Sequence, residues 1–297
     1  MNTHHSNSIN TIDFPATSAQ KNKDIVIALH CSGGSARQWR ALGESLHPAY
    51  DMFTPEHTTL TGSQLRYQKD MAKIEKDAQS SLDIIDQSSA RIHLIGHSYG
   101  GCVALHVALK RPERIASISL YEPCAFYLLP QMGSIALDAW REVERLANSI
   151  KEHCRQGETA AAMAAFINYW SGDGAWNKLK SEHQDKLSTW APNAVYAFDA
   201  IFNELTKPSD FRNLGMPVVL MQGERSPIST QVVSAELRNL LPDCQSHHLS
   251  GLGHMGPLTH AETTNNLIRT HILAHTLTQS NLADNDRLTA NAVNVAA

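Results

Sequence analysis

A pentapeptide, Gly96-His97-Ser98-Tyr99-Gly100, lies between an apolar run and an amphipathic segment. The run, residues 92–95, predicts a buried strand, and apolar positions beyond the pentapeptide share one helical face: Cys102, Leu105 and Leu109. Gly-x-Ser-x-Gly between a strand and a helix is typical of a nucleophile elbow, a sharp turn that lifts a serine hydroxyl above the carboxyl edge of a sheet. The pattern makes Ser98 a candidate nucleophile. It also places the Tyr99 N–H at a helix N-terminus, where it can face a developing oxyanion.

Short apolar runs recur along the chain and alternate with amphipathic segments. The runs that predict strands cover residues 24–30, 50–54, 92–95, 115–121, 217–223 and 247–250. Strands that alternate with helices join a parallel sheet through crossover connections. The sequence therefore predicts an α/β fold with a mostly parallel sheet flanked by helices.

The stretch between the runs at 115–121 and 217–223 has only helical periodicity. Apolar and aromatic residues recur there at helical spacing, and Gly172-Asp173-Gly174 separates two of the predicted helices. We therefore expect an all-helical insertion between two strands, over residues 123–209. The polar ends of the chain, residues 1–23 and 277–297, are expected to be flexible.

Together these features resemble the α/β-hydrolase superfamily over most of the chain, from about residue 24 to residue 275. The resemblance implies a hydrolase core formed by residues 24–122 and 210–276. It also implies that residues 123–209 are a cap, the helical insertion that covers the site in such enzymes.

Two loops carry the resemblance into the predicted site. In these hydrolases a histidine in a Gly-x-Gly-His loop after the last strand is the general base, which implies that role for His254. A His-Gly-x loop after an early strand supplies an N–H to the oxyanion hole, and the matching donor is Ser32. In this chain Cys31 stands where the loop usually has a glycine, so Cys31 remains an alternative to Ser32 as the donor. The Tyr99 N–H is the predicted second donor of the oxyanion hole.

The acid that orients the base has two candidates. Most members of the superfamily place an aspartate three residues after a glycine that ends a late strand, and the matching position is Ser226, which carries no charge. Some members take the acid from the end of the preceding strand, which Glu122 follows. That strand neighbours the elbow strand in this fold, so we predict that Glu122 is the acid, with Glu224 as the alternative.

A serine hydroxyl becomes a useful nucleophile only when a neighbouring base takes its proton, and an imidazole suits that task. We therefore predict hydrolysis of a small carboxylic ester through an acyl-enzyme intermediate on Ser98. The predicted substrate contacts are neighbours of the site positions and one aromatic residue of the cap: Cys31, His97, Met255 and Trp170.

Two other functions fit the same pattern. A carbon–carbon bond hydrolase acting on a diketone-like aromatic breakdown product shares the serine elbow and the cap. A ligand-binding receptor can use the same fold, because a fold does not fix a function. Assays with an ester and with a vinylogous diketone separate the two enzymes, and no turnover of either favours the receptor.

The composition of the chain limits the kinds of partner that it is expected to bind. The formal net charge is −4, with 25 basic and 29 acidic residues interspersed, and no basic stripe for nucleic acid or polybasic patch for a membrane is present. The five cysteines are widely spaced, which favours reduced thiols over a disulfide framework. Residues 1–23 lack a hydrophobic signal core. We expect a cytoplasmic protein that acts on a small molecule; the sequence leaves its oligomeric state open.

No metal or cofactor is predicted. His271 and His275 have the i, i+4 spacing of a helical metal pair, but no acidic third ligand lies in register with them. We therefore expect the chemistry to be carried by side chains and backbone groups alone.

Overall fold

The structure is a computed structural model that describes residues 23–57 and 73–276. Six strands of these residues form one sheet: β1 (Ile25–Leu29), β2 (Asp51–Phe53), β3 (Ile92–His97), β4 (Ile115–Tyr121), β5 (Val218–Gly223) and β6 (Cys244–Leu249). Each strand predicted from the sequence is present, and β6 begins three residues earlier than predicted. The ends that we expected to be flexible lie, apart from Lys23, outside the described residues.

The order of the strands explains why the candidate site residues meet. The sheet has the order β2-β1-β3-β4-β5-β6, and every pairing in it is parallel. This confirms the predicted α/β architecture with a parallel sheet. Strands β3 and β4 are neighbours whose last register pair is His97 with Tyr121. The next residues along the two strands, Ser98 and Glu122, therefore emerge side by side at the carboxyl edge of the sheet.

Eleven helices are described: α1 (Arg40–Leu46), α2 (Ile74–Asp86), α3 (Tyr99–Lys110), α4 (Leu137–Arg155), α5 (Thr159–Ser171), α6 (Ser181–Ser188), α7 (Ala191–Phe202), α8 (Pro208–Phe211), α9 (Ile228–Leu240), α10 (Gly256–Thr259) and α11 (residues 261–276). No helix of the described ranges is both long and apolar enough to cross a membrane.

The helices cover both faces of the sheet. On one face α1 and α11 bury Leu42 and Ile268 against strand residues such as Val26 and Ile95. On the other face α2, α3, α9 and the insertion share a larger apolar cluster with the remaining strand side chains. Because helices cover both faces of the sheet, β1 and β4 are buried along their whole length, which explains their continuous apolar runs.

The insertion between β4 and β5 is helical throughout its described elements. A 3-10 segment, Phe126–Ala136, leads into α4, and α5 to α8 follow before β5 begins. The main insertion helices bury one side each, for example Val143 of α4 and Phe198 of α7, in the cluster they share with α3. We keep the name cap for this insertion; its limits at residues 123 and 209 stay predictions.

Glu204 ties the end of α7 to α3. Its Oε1 accepts hydrogen bonds from the Thr206 N–H (3.1 Å) and the Thr206 hydroxyl (2.6 Å), and its Oε2 lies 3.4 Å from His106 Nδ1. Burial raises the pKa of Glu204, but the contacts with His106 and Thr206 outweigh burial and lower it from about 4.5 to about 2. A carboxyl group whose pKa is lower in the folded state stabilises that state above its unfolded pKa.

We expect Glu204→Gln to lower the free energy of unfolding at pH 7 by about 1–2 kcal/mol, because a partly solvated carboxylate loses its ionic contacts. The difference from wild type should shrink as pH falls from about 4.5 to about 2, where the wild-type carboxylate also takes up a proton. Urea unfolding at several pH values measures this, with Glu44→Gln on the exposed side of α1 as the control. If Glu204→Gln lowers the free energy of unfolding equally at both ends of that pH range, the ionised form of Glu204 does not stabilise the fold.

Candidate active site

The elbow has the strained backbone that its sequence predicts. Ser98 has φ 57° and ψ −118°, which is rare for a residue with a Cβ atom. The turn is held by the Ser98 N–H, which donates to Tyr121 O (3.0 Å), and by Ser98 O, which accepts from Cys124 N (3.1 Å). A Cβ atom at Gly96 would lie 2.6 Å from Gly100 O, so only glycine allows the strand and α3 to approach this closely.

Ser98, His254 and Glu122 form one chain of hydrogen bonds. Ser98 Oγ lies 2.9 Å from His254 Nε2, and His254 Nδ1 lies 2.7 Å from Glu122 Oε2. A carboxylate accepts, so Nδ1 donates to Glu122 and the Nε2 lone pair is left to accept from the Ser98 hydroxyl. All three side chains are buried, and the His254 ring stacks on Trp170 with 4.1 Å between centroids. The geometry is that of a nucleophile, a base and an orienting acid.

Glu122 rather than Glu224 reaches the histidine. Glu122 has φ 42°, a left-handed conformation that turns its side chain over the end of β4, and its Oε1 accepts the Gly223 N–H at 2.6 Å. Glu224 is exposed and accepts from Gly251 N (2.7 Å) and Ser250 Oγ (3.0 Å) in its own loop. Of the two candidate acids, Glu122 is the one that lies within hydrogen-bonding distance of His254, and the choice of Glu122 as the acid stays a prediction. Ser226, at the usual acid position, is buried.

The Tyr99 and Ser32 N–H groups are the predicted donors of the oxyanion hole. Neither Tyr99 N nor Ser32 N donates to an acceptor within residues 23–57 and 73–276. The Cys31 N–H, by contrast, donates to Gln38 Oε1 at 3.2 Å. Of the two donors that the sequence left open, the engaged Cys31 is excluded and Ser32 is available.

A His30–Glu56 pair braces the loop that carries Ser32. His30 Nδ1 donates to Cys31 O (2.8 Å), and His30 Nε2 lies 2.9 Å from Glu56 Oε2. Glu56 Oε1 accepts the Ala36 N–H at 2.9 Å. Burial raises the pKa of Glu56, but the contacts with His30 and Ala36 outweigh it, so this carboxyl group is ionised more readily than usual. The brace holds both ends of the loop and therefore fixes the Ser32 N–H.

Two thiols lie at the candidate site with Ser98. Cys124 Sγ lies 3.1 Å from Ser98 Oγ, and both Cys31 and Cys124 are buried at the site. Burial raises the pKa of Cys31 to about 12 and also raises that of Cys124, so both are neutral thiols near pH 7 and poor nucleophiles. Sequence reasoning missed Cys124; the only signal was its position two residues after Glu122. The cysteines of the described ranges are all free, as predicted.

An apolar cavity of about 110 Å³ lies over Ser98 and His254. Three of the predicted substrate contacts line it, namely Cys31, Met255 and Trp170, together with cap residues that include Met163, Phe166, Trp190 and Phe198. The prediction for His97 is wrong: this residue is fully buried and does not line the cavity. Both of its ring nitrogens are engaged below the site, with His254 O (2.9 Å) and Gln38 Nε2 (3.1 Å).

A larger groove, lined in part by polar side chains, meets the cavity at Trp170, Ser171 and Met255. Its volume is about 660 Å³, and charged and polar side chains line much of it, among them Glu142, Asp173, Arg225 and His260. The described residues contain no cluster of three or more His, Cys, Asp or Glu side chains arranged to hold a metal ion.

Comparisons with known proteins agree with this fold. The family described as "alpha/beta hydrolase fold" matches residues 24–261. Similar solved structures include a hydrolase from Oleispira antarctica (TM-score 0.65, 17% identity, 85% of this chain and 92% of that one). An esterase from Thermogutta terrifontis is 19% identical with a TM-score of 0.62, covering 90% of this chain and 97% of that one.

A third structure, an enol-lactonase from Burkholderia xenovorans, has a TM-score of 0.64 and 14% identity over 85% of this chain and 92% of that one. At these identities the structures establish the fold alone. The sequence match covers well over half of the chain, and the chain therefore belongs to the α/β-hydrolase fold family.

Proposed function

We propose that the protein is a serine hydrolase that cleaves a small carboxylic ester through an acyl-enzyme intermediate on Ser98. The observation that carries the proposal is the hydrogen-bonded chain from Ser98 Oγ through His254 to Glu122, at 2.9 and 2.7 Å. Beside it lie an apolar cavity and two N–H groups that have no acceptor among the described residues. Membership of the hydrolase family supports it.

In this proposal each proton transfer of ester hydrolysis is assigned to His254. His254 Nε2 takes the proton of Ser98 as Oγ attacks the ester carbonyl carbon, and the Tyr99 and Ser32 N–H groups stabilise the resulting oxyanion. The proton on Nε2 then passes to the departing alkoxide, which leaves an acyl group on Ser98. His254 Nε2 next takes a proton from a water molecule as the water oxygen attacks the acyl carbon, and it returns that proton to Ser98 Oγ as the bond to the acyl group breaks and the acid leaves. Glu122 remains a carboxylate and stabilises the imidazolium form of His254.

The cavity over Ser98 and the groove that meets it at Trp170, Ser171 and Met255 support a division of the substrate between two spaces. The cavity is small and apolar at about 110 Å³, whereas pockets for drug-sized ligands measure about 300–1,000 Å³. We propose that it accepts a short acyl group. The larger groove beyond Trp170 and Met255 then receives the alcohol part, whose polar groups can bind side chains such as Asp173 and Arg225.

Substitution of Phe198 tests the acyl assignment. Phe198 lines the cavity and is buried, so Phe198→Ala should make room for longer chains. We expect the ratio of kcat/KM for p-nitrophenyl hexanoate to that for the acetate to rise about 10-fold. This is the discrimination that roughly one additional methylene gives when an apolar pocket accepts it. Phe202→Ala removes an aromatic side chain of the same helix that does not line the cavity, and it should leave the ratio near wild type. Equal ratios in all three proteins would contradict a role for this cavity in acyl selection.

The same assay separates the proposal from the two alternatives. A carbon–carbon bond hydrolase would turn over a vinylogous diketone in preference to every ester of the panel. A ligand-binding receptor would turn over neither substrate class. Turnover of short esters that exceeds turnover of the diketone is the result we expect.

A further inference from the structure

A line of hydrogen bonds joins the two loops that form the site. The Cys31 N–H donates to Gln38 Oε1 (3.2 Å), Gln38 Nε2 lies 3.1 Å from His97 Nδ1, and His97 Nε2 lies 2.9 Å from His254 O. The first group of this line is next to the proposed oxyanion donor Ser32. The last is the backbone carbonyl of the proposed base itself.

The direction of every bond in the line is fixed by its two ends. His254 O can only accept, so His97 Nε2 carries a proton; the Cys31 N–H can only donate, so Gln38 presents Oε1 to it. The Gln38 amide N–H groups then face His97 Nδ1, which accepts with its lone pair. The line is complete only when His97 is neutral and protonated on Nε2.

The surroundings of His97 favour that neutral form. His97 is fully buried, and the titratable groups that face it are His254 (ring centroids 5.2 Å apart), Tyr121 (5.5 Å) and the more distant His30. Burial and the charges of His254 and His30 hold the pKa of His97 well below its usual value. Tyr121 also donates to Gly253 O (2.7 Å). The carbonyl groups of two successive residues, Gly253 and His254, therefore accept hydrogen bonds from Tyr121 and His97.

We infer that Gln38 and His97 are positioning residues, which set the placement of the base His254 relative to the oxyanion donor Ser32 through one continuous line of hydrogen bonds. The inference rests on the proposed function. Both groups act on the same transition state, and a misplacement of about 1 Å can cost about 10²-fold in rate. Neither residue touches the reacting atoms.

Two substitutions of Gln38 test the inference. Gln38→Leu removes both hydrogen bonds, and we expect kcat for a short ester to fall about 10- to 100-fold while KM changes little. Gln38→Glu keeps the shape and the acceptor for Cys31 N, but a carboxylate cannot donate to His97 Nδ1. The line then forms only while the new carboxyl group and His97 share one additional proton. We therefore expect kcat of Gln38→Glu to fall at alkaline pH, where that proton is lost, in a limb that wild type does not show.

Gln79→Leu is the matched control, because Gln79 is exposed on α2 and its side chain bonds only Asp83 among the described residues. It should retain wild-type kcat and pH profile. The inference is overturned if Gln38→Leu matches Gln79→Leu in kcat, or if Gln38→Glu has the wild-type pH profile. Should Gln38→Leu fail to fold, the isosteric Gln38→Glu alone decides.

Nitrogen-15 NMR of the histidines separates failure of this inference from failure of the proposed function. Wild type should show His97 protonated on Nε2 alone at neutral pH, and Gln38→Glu should show a second proton on His97 at lower pH. These signals do not depend on turnover. If wild type hydrolyses no ester, the proposed function fails while the NMR signals still test the line; protonation of His97 on Nδ1 alone in wild type overturns it.

Discussion

The Ser98→Ala protein should lose turnover of short esters by up to about 10⁶-fold, the effect of removing the serine from a comparable site. The reason is that Ser98 Oγ is both the attacking atom and the hydrogen-bond partner of His254 Nε2 at 2.9 Å, and alanine supplies neither function. The kcat for p-nitrophenyl acetate measures the loss. Binding of a fluorophosphonate probe should disappear in parallel, since the probe reacts with the same oxygen.

Ser45→Ala is the control for this substitution, because Ser45 is exposed on α1 and its hydroxyl bonds only Leu42 O within the described part of the chain. It should keep wild-type turnover and labelling. Retention of more than trace turnover by purified Ser98→Ala, or fluorophosphonate on another residue, would show that the elbow serine is not the nucleophile.

The second large effect is expected at Glu122. Glu122→Gln should lower kcat by about 10⁴-fold with the fold intact, as removal of the charge does for the acid of a comparable triad. Glu122 uses both oxygens as acceptors, Oε1 from Gly223 N (2.6 Å) and Oε2 from His254 Nδ1 (2.7 Å). Glutamine has one acceptor oxygen, so its amide nitrogen must face one of these donors. If it faces His254, the imidazole moves its proton to Nε2 and can no longer accept from Ser98.

Glu224→Gln and Ser226→Ala are the comparisons that make this test decisive. Glu224 hydrogen-bonds Gly251 and Ser250 in its own loop, whereas the His254 side chain hydrogen-bonds Glu122 and Ser98. Both variants should keep kcat within about 3-fold of wild type, as expected for changes outside the hydrogen-bonded triad. Near-wild-type kcat of Glu122→Gln, together with a large loss of kcat in Glu224→Gln, would show that Glu224 is the acid.

The sequence predicted the elements that depend on local pattern. The apolar run, the glycines around Ser98 and the helical face beyond it are local constraints, and the structure has each of them. The candidate acid was harder to predict, because two glutamates, Glu122 and Glu224, each directly follow a strand. Glu122 reaches His254 because its left-handed φ of 42° turns the side chain inward, and no side-chain periodicity reports the φ angle of one residue.

The contacts that sequence reasoning missed join distant parts of the chain. Gln38 and His97 are 59 positions apart, and His97 and His254 are 157 apart. His97 was predicted to contact substrate because it precedes Ser98. Strand side chains alternate in direction, however, and the next residues, Ser98 and Tyr99, line the cavity while His97 does not. Cys124 comes within 3.1 Å of Ser98 Oγ because of the turn after β4, which the sequence did not reveal.

The central claim is that turnover passes through an acyl group on Ser98. Rapid quenching of the wild-type protein during hydrolysis of p-nitrophenyl acetate, followed by proteolysis and mass spectrometry, tests it most directly. We predict one acetyl group, on Ser98, formed at least as fast as turnover and absent from Ser98→Ala. Undiminished turnover with no acetylated Ser98, or with the acetyl group only on Cys124, would contradict the account.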